Sequence, residues 1–364
     1  MIKKLSILVG YFVFLQSSNA LAQQQNAALI ELRNLIAPVK PTEFYFKEVV
    51  DGRKTKTGLG KLQPYKGSSF TTPYIVDFKG GRVELINFIK RSAEVNNKLR
   101  PIILTIKELS VNEEPVINGL VKGSVKINLL FALEGSYVPI DLTSYSTTTS
   151  YQRTAGPAQY IEPILSKAII NGILFFDNWI NQNADTNIKL AKGVKLSFSD
   201  YDEKPDGDTV YYKVSRPITW DDFKGKPPKN TRRGAEIFSY IGYNQEVELR
   251  NGVIYVKVAV KSWVAKSACW VLPGMQSDYA LNHEQRHFDI TRLVAERFKA
   301  SLKVKTTAPD TFEGEMNAAY LDALRELTAL QRQYDNETSH GGNSNAQEQW
   351  NIRIDKELSA SGIK

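Results

Sequence analysis

The sequence predicts an α+β fold in two parts: an N-terminal sheet covered by a helix, then a C-terminal β-hairpin followed by three helices. Two patterns lead to this prediction. Apolar residues alternate with polar ones over several runs in the first half and again over residues 235–264. Apolar stripes with helical spacing then occupy residues 277–359. Strands followed by grouped helices are typical of α+β proteins, and 364 residues are enough for two domains.

The first 22 residues have the pattern of a secretory signal peptide. Two lysines precede an apolar run over residues 5–15, and residues 20–22 (Ala-Leu-Ala) form a small-x-small site, which predicts cleavage after Ala22. The run is too short to anchor the chain stably in a bilayer, and an uncleaved anchor is the alternative. The sequence therefore predicts a periplasmic or secreted protein with no membrane span after signal cleavage.

The charge and the cysteine content of the sequence bear on its binding partners and on disulfide formation. The formal net charge is +8 and the basic residues are scattered, so nothing in the sequence indicates binding to nucleic acid. Cys269 is the single cysteine, which excludes an intramolecular disulfide and favours a buried apolar role for its side chain. One short basic cluster is interpreted as a solvated loop, with contact to an anionic surface as the alternative: Lys224, Lys226, Lys229, Arg232 and Arg233.

Residues 23–192 are predicted to form an N-terminal α+β domain. Strands are expected over residues 101–111, 124–134 and 142–151, the last with a half-exposed Ser/Thr/Tyr pattern. A helix is expected over residues 161–180, where apolar residues recur at i, i+3 and i+4. No cluster of titratable residues in this half indicates chemistry, so its role is left open, with binding of an envelope partner as one hypothesis.

Residues 193–364 are predicted to form a C-terminal domain, after a boundary in the polar stretch 183–208 that contains Pro and Gly. The dipeptide Asn251-Gly252 lies between two β-type runs, residues 235–249 and 253–264, and predicts a hairpin because both residues accept positive φ. Three helices are expected to follow, over residues 277–303, 312–334 and 345–359.

The strongest chemical signal is the H-E-x-x-H motif formed by His283, Glu284 and His287 inside the first of these helices. Residues four apart lie on one face of a helix, so both imidazoles can bind one Zn²⁺. Glu284 is the candidate catalytic residue, a general base toward a water on the metal and then a proton donor to the leaving group. The chain has only three histidines, which makes a chance match uncommon.

A catalytic zinc usually has three protein ligands and one open position. The motif helix does not supply the third, because Ile290 and Leu293 stand where a G-x-x-H turn would need Gly and His. The remaining histidine, His340, follows the second helix and is the preferred third ligand, with Asp335 and Glu337 as alternatives in the same segment. Three glutamates on the second helix itself are less favoured: Glu313, Glu315 and Glu326.

Three short segments of the second half extend the pattern beyond the motif: residues 220–228 (WDDFKGKPP), 282–290 (NHEQRHFDI) and 334–341 (YDNETSHG). Together they resemble a bacterial family of proposed zinc-dependent proteases, over roughly residues 210–360. The resemblance implies a zincin-like α+β fold with His283 and His287 on the metal and Glu284 catalytic. The family favours glycine at the position of Arg286, which lies off the face that carries the two histidines.

These observations predict a zinc-dependent peptidase that hydrolyses peptide or protein substrates through a zinc-bound water activated by Glu284. Residues 253–264 are the candidate strand for aligning an extended substrate, with an ordinary hairpin strand as the alternative. A second hypothesis is a non-catalytic envelope protein whose zinc, in a closed four-ligand site, only holds the C-terminal helices together. A third is an amidase that applies the same zinc chemistry to cell-wall amides.

Overall fold

The computed structural model describes residues 28–33, 37–66, 68–202, 207–304 and 307–363. The predicted signal peptide, residues 1–22, lies outside the described residues. Two separate sheets, each packed against its own helices, give the protein an α+β architecture. Within the described ranges, none of the helices is both long and apolar enough to cross a membrane.

The first part of the molecule is built on a large sheet. Its described residues form the strands β1 (Ala28–Ile30), β2 (Phe44–Asp51), β3 (Gly60–Leu62), β4 (Tyr65–Lys66), β5 (Ser69–Phe70), β6 (Tyr74–Phe78), β7 (Arg100–Pro115), β8 (Leu120–Leu133) and β9 (Ile140–Thr154). Seven of them form one sheet in the order β1-β6-β3-β7-β8-β9, with β2 beside β7. The long strands β7, β8 and β9 run antiparallel and confirm the three predicted strands.

Two helices pack in this first part, α1 (Gly81–Arg91) and α2 (Glu162–Asn183). The predicted helix over residues 161–180 is confirmed by α2, whose apolar face is buried in the core. The Phe176 ring stacks on Phe131 with centroids 4.2 Å apart and meets Phe44 edge-on at 4.8 Å. These contacts fix the helix against β8 and β2, and this first core extends along the chain to Leu190.

The second part has a smaller sheet. Its described residues form the strands β10 (Gly193–Asp200), β11 (Thr209–Tyr211), β12 (Ala235–Glu236), β13 (Ser239–Arg250), β14 (Val253–Ala265) and β15 (Trp270–Val271). The predicted hairpin is confirmed by β13 and β14, and its turn residues Asn251 and Gly252 have φ values of 50° and 71°. A separate two-stranded ribbon joins β12 to β15.

The strand β14 lies in the middle of this sheet. It pairs with β13 along one side and with β10 and β11 along the other. A strand that is paired on both sides has no backbone edge to offer to a substrate. The prediction that residues 253–264 align the substrate is therefore wrong. Among the described strands, β13 pairs with β14 alone and forms an edge of the sheet.

The three predicted helices of the second part are confirmed as α3 (Asp278–Lys303), α4 (Phe312–Thr338) and α5 (Ser344–Ala360). Their apolar stripes and the inner face of β14 form a second core, which shares no residue with the first. The helix α4 continues one turn past its predicted end at residue 334. That extra turn includes Asp335, one of the candidate metal ligands, and determines its position.

Candidate metal site

The two motif histidines lie side by side on α3. Ser277 begins this helix with a capping hydrogen bond, in which its hydroxyl accepts from the Ala280 N–H at 3.1 Å. His283 and His287 then project from one face, and their Nε2 atoms are 3.3 Å apart. A tetrahedral zinc ion with bonds of about 2.0–2.1 Å would hold two nitrogens about 3.3–3.4 Å apart. The spacing of the two rings therefore fits a shared metal.

A third donor, Asp335, comes from the last turn of α4. Its Oδ1 lies 2.9 Å from His287 Nε2 and 3.4 Å from His283 Nε2. The ligand atoms of these three residues all lie within 4.8 Å of one another. Because α4 continues to Thr338, Asp335 is held in helical register instead of lying in a loop. Two imidazoles and one carboxylate form a donor set that suits Zn²⁺.

His340, the preferred third ligand from the sequence, lies beside Asp335 and outside this group of three. Its Nδ1 is 3.3 Å from Asp335 Oδ2, and its side chain is 45% exposed. The chain turns sharply here, because Ser339 and His340 both have positive φ, at 52° and 51°. The structure thus brings Asp335, the alternative, to the two histidines. A direct metal bond to His340 stays a prediction.

The other carboxylates named from the sequence have different surroundings. Glu337 faces α5, where it accepts a hydrogen bond from Trp350 Nε1 at 2.7 Å. The three glutamates earlier on α4 also lie elsewhere: Glu315 accepts from Thr311, Glu326 pairs with Arg297, and Glu313 lines a hollow with Asp310. The group of three described above includes none of these four carboxylates.

Glu284 is buried beside the histidines and is only 5% exposed. Its Oε2 accepts a hydrogen bond from the Ile237 N–H at 2.9 Å, which fixes the carboxyl group in place. Burial raises the pKa of Glu284, while the nearby His287 and His283 and the Ile237 N–H act in the opposite direction. A carboxyl group whose pKa lies closer to neutrality can both accept and return a proton.

The charges of the site are coupled. Burial alone would raise the pKa of Asp335, but hydrogen bonds with His283 and His287 hold it well below its usual range. Burial alone would lower the pKa of His287, but the hydrogen bond to Asp335 and the charge of Glu284 raise it overall. Asp335 is therefore kept in its charged form, which a carboxylate needs in order to bind a cation.

Two glutamines contact the outer ring nitrogens of the motif histidines, and neither was predicted from the sequence. Gln347 Oε1 lies 2.9 Å from His283 Nδ1, and Gln331 Oε1 contacts His287 Nδ1. Gln331 comes four residues before Asp335, so the two share a face of α4, and this spacing was an available signal. No such signal exists for Gln347, because only the packing of α5 brings it to the site.

A cleft of about 1240 Å³ opens over these side chains. One wall is the segment 237–239, which leads from β12 into β13, and the other includes Leu324 and Leu327 of α4. Arg232 and Arg233 also line the cleft. Part of the basic cluster that was interpreted as a solvated loop therefore belongs to the surroundings of the site.

The segment 220–228 supports the motif helix from another side. Asp222 accepts hydrogen bonds from both terminal nitrogens of Arg216, each at 2.7 Å, and closes a short 3-10 turn. Just before this turn, the Ile218 N–H donates to Gln285 Oε1 of α3 at 2.9 Å. Phe223 of the segment shares a buried apolar cluster with Phe288 of α3, so the segment supports α3 from outside and contributes no ligand to the group of three.

Residues 276–341 match the model of a family described as "Bacterial protein of unknown function (DUF922)". This stretch contains both motif histidines, Asp335 and His340, and it ends before α5 begins. The description of the family names no activity. A search among curated proteins gave no match.

Solved structures give only distant likenesses. Protein XCC0632 from Xanthomonas campestris, of the family DUF330, is 8% identical with a TM-score of 0.27, and the match covers 43% of this chain and 99% of that one. A protein titled only as uncharacterized is 6% identical with a TM-score of 0.24, and the match covers 42% of this chain and 99% of that one. Neither likeness carries an argument about function.

Proposed function

We propose that this protein is a zinc-dependent peptidase in which His283, His287 and Asp335 hold the metal and Glu284 is the general base. The observation that carries the proposal is the convergence of two ring nitrogens and one carboxylate oxygen, all within 4.8 Å, in an open cleft. This donor set is found in catalytic zinc sites. Zinc bound there would polarise a water molecule and the carbonyl group of the substrate.

The position of Glu284 fits the role of a general acid–base group. It lines the cleft beside the histidines but is outside the group of three ligands. The Ile237 N–H holds its Oε2, and burial raises its pKa. A fixed carboxylate of this kind takes a proton from the attacking water and later delivers it to the leaving amine.

The walls of the cleft favour an extended peptide as substrate. The segment 237–239 leads into the edge strand β13, and exposed strand edges pair with extended peptides through backbone hydrogen bonds. Leu324 and Leu327 on the opposite wall offer apolar contacts for a substrate side chain. Together with the predicted signal peptide, this supports action on peptides or proteins in the periplasm or outside the cell.

An open cleft supports catalysis over a purely structural metal. Structural zinc sites are closed by four protein ligands, whereas catalytic sites keep one position for water or substrate. Here three ligand atoms converge, and His340 contacts Asp335 Oδ2 instead of completing a fourth corner. A closed site of His283, His287, Asp335 and His340 would require the His340 side chain to turn.

The decisive variant is Glu284→Gln in the full chain, tested with a peptide library whose cleavage is followed by mass spectrometry. We expect about one zinc per chain in both wild type and variant, and a loss of cleavage rate of about 10²–10⁴-fold, the usual contribution of a general base. Glu114→Gln is the matched control, because Glu114 is exposed on β7 in the first part of the molecule and does not line the cleft. Unchanged cleavage by Glu284→Gln, or a wild-type chain without zinc, would refute the proposal.

A further inference from the structure

Each motif histidine has one ring nitrogen toward Asp335 and the other toward a glutamine. His283 Nδ1 faces Gln347 Oε1 at 2.9 Å, and His287 Nδ1 faces Gln331 Oε1. An amide oxygen only accepts hydrogen bonds, so each ring must donate from Nδ1. With Nδ1 engaged by the glutamine, Nε2 is the ring nitrogen left to bind a metal, and it is the atom that lies closest to Asp335 in both rings.

Neighbouring groups determine which end of each amide faces the ring. The Nε2 of Gln331 donates to the His287 carbonyl at 2.9 Å and to Thr291 Oγ1 at 3.2 Å. The Nε2 of Gln347, a residue only 1% exposed, donates to Asn351 Oδ1 at 3.1 Å. Backbone and side-chain carbonyls cannot donate, so turning either amide over would lose these bonds and place a donor against the ring. Both amides are thus locked with their oxygens toward the histidines.

We propose that Gln331 and Gln347 are the positioning residues of the metal site. They hold His287 and His283 as Nδ1–H tautomers with Nε2 directed toward Asp335, so that the ligand set is organised before the metal arrives. Contacts of this kind, from outside the ligand set, commonly fix the ring orientation of a metal-binding histidine. The role rests on the proposed function, because it presupposes that the three side chains bind a metal.

The side-chain amides of Gln331 and Gln347 carry no charge. Asp335 and Glu284 already place two carboxyl groups beside the histidines. Amides orient the rings without adding further negative charge to a site of low exposure. A glutamate in place of either glutamine would keep an acceptor toward the ring, but it would add charge and replace the donating amide nitrogen by an oxygen.

The two glutamines come from different helices, and neither helix is the motif helix. Gln331 lies on α4 and Gln347 on α5, which begins after the residues matched by the family model. Although α5 contributes no atom to the group of three ligands, it carries the acceptor that orients His283. The affinity for zinc therefore depends on the packing of all three helices.

The test uses the full chain and the variants Gln331→Leu, Gln347→Leu, Gln331→Glu and Gln347→Glu. Zinc affinity is measured by competition with a chromogenic chelator, and ring protonation is read from the nitrogen chemical shifts of ¹⁵N-labelled histidine. The chain has three histidines, so the spectrum is simple. Gln333→Leu is the matched control, because Gln333 is an exposed glutamine of α4 that contacts Glu337.

We expect each leucine variant to lose about 10–100-fold in zinc affinity, the usual cost of removing such a contact. The Nδ1–H signal should change for His287 in Gln331→Leu and for His283 in Gln347→Leu. The glutamate variants keep an acceptor toward the ring, so their Nδ1–H signals should persist, which separates a lost hydrogen bond from a fold that fails, and Gln333→Leu should match wild type.

Unchanged zinc affinity and unchanged ring signals in both leucine variants would overturn the positioning role while leaving the proposed peptidase standing. Motif histidines that lack the Nδ1 proton in the zinc-loaded wild-type chain would also overturn it. A wild-type chain that binds no zinc would overturn the positioning role and the proposed function together.

Discussion

Asp335 and His340 were both candidates for the third ligand, and their surroundings separate them. The Asp335 side chain is 20% exposed and contacts both motif histidines, whereas the His340 side chain is 45% exposed and contacts only the second oxygen of Asp335. A ligand must be held close to the other donors, and Asp335 alone of the two meets this condition. His340 is better placed to orient Asp335 than to replace it.

Alanine variants of these two residues should therefore differ in zinc affinity. We expect Asp335→Ala to lower it by more than about 100-fold, because a lost ligand costs more than a lost contact behind one. His340→Ala should lower it by about 10-fold or less. Competition with a chelator measures both. The reverse order would make His340 the third ligand, and equal large losses would support the closed four-ligand site.

Asp222 shows how a single buried carboxylate supports the site from outside. Burial alone would raise its pKa, but the hydrogen bonds from Arg216 and from the Thr219 N–H lower it overall. The pKa in the folded state is therefore below the unfolded value of about 3.9. The stabilisation is fully present above that value and is lost as the pH falls through the folded pKa.

Asp222→Asn should destabilise the protein at pH 7 by about 1–3 kcal/mol, the usual contribution of hydrogen bonds to a charged group. The difference from wild type should shrink as the pH is lowered toward about 3, because the unfolded chain then takes up the proton that the folded carboxylate resists. Urea unfolding at the two pH values measures it. The exposed neighbour provides the control Asp221→Asn, which should change little. A difference that does not depend on pH would contradict the assignment.

At the scale of elements, Arg286 joins α3 to α5. Its side chain is 9% exposed, its guanidinium group pairs with Asp289 at 3.0 Å and with Asp355 at 2.8 Å, and its Nε donates to Asn351 at 3.0 Å. The Arg286 side chain thus ties the two helices together. Gln347 also lies on α5, so the contacts of Arg286 with α5 support the metal site as well.

Arg286→Met should destabilise the second part by about 3 kcal/mol, at the low end for breaking a buried ion pair, because Asp355 is partly exposed. The loss should also weaken zinc binding, since α5 would hold Gln347 less firmly. Denaturant unfolding and chelator competition measure the two effects. A loss of stability with unchanged zinc affinity would show that the packing of α5 does not limit the site.

The sequence predicted some elements well for physical reasons. The Asn251-Gly252 turn was predictable because its positive φ values are a local property, and α2 because its apolar stripe is long. Strands such as β3 (Gly60–Leu62) were not predicted, since three residues carry no periodic pattern and their pairing depends on distant partners. The ends of helices are equally hard to predict from sequence, and α4 continues one turn beyond its predicted end.

The residues of the candidate site also differ in whether the sequence could predict them. His283, Glu284 and His287 were predictable because their spacing within one helix sets their shared face. Asp335 entered only as an alternative, because its position depends on where α4 ends. Gln347 was missed, since its contact with His283 joins residues far apart in sequence through the packing of α5. Local spacing thus identified the motif, and tertiary packing supplied the rest.

At the scale of the whole molecule, the two sheets have separate cores. The first core ends at Leu190, and partly buried residues from Ala191 onward pack against the second. A polar contact between the two parts is made by Ser136, which donates from its N–H and hydroxyl to Asp310 at 2.6 and 2.8 Å. Separate cores lead us to expect that each part responds separately to a ligand that binds only one of them.

Zinc should accordingly stabilise one part of the molecule and leave the other unchanged. The proposed ligands and their glutamines all lie on α3, α4 and α5. With zinc at 100 times its Kd, binding adds about 2.7 kcal/mol, or roughly 5–10 °C in Tm for a part of this size. Calorimetry should show two transitions, of which a chelator lowers only the one that Asp335→Ala also lowers. If the chelator moves both transitions together, the two parts unfold as one unit, and the predicted division at residues 192 and 193 fails.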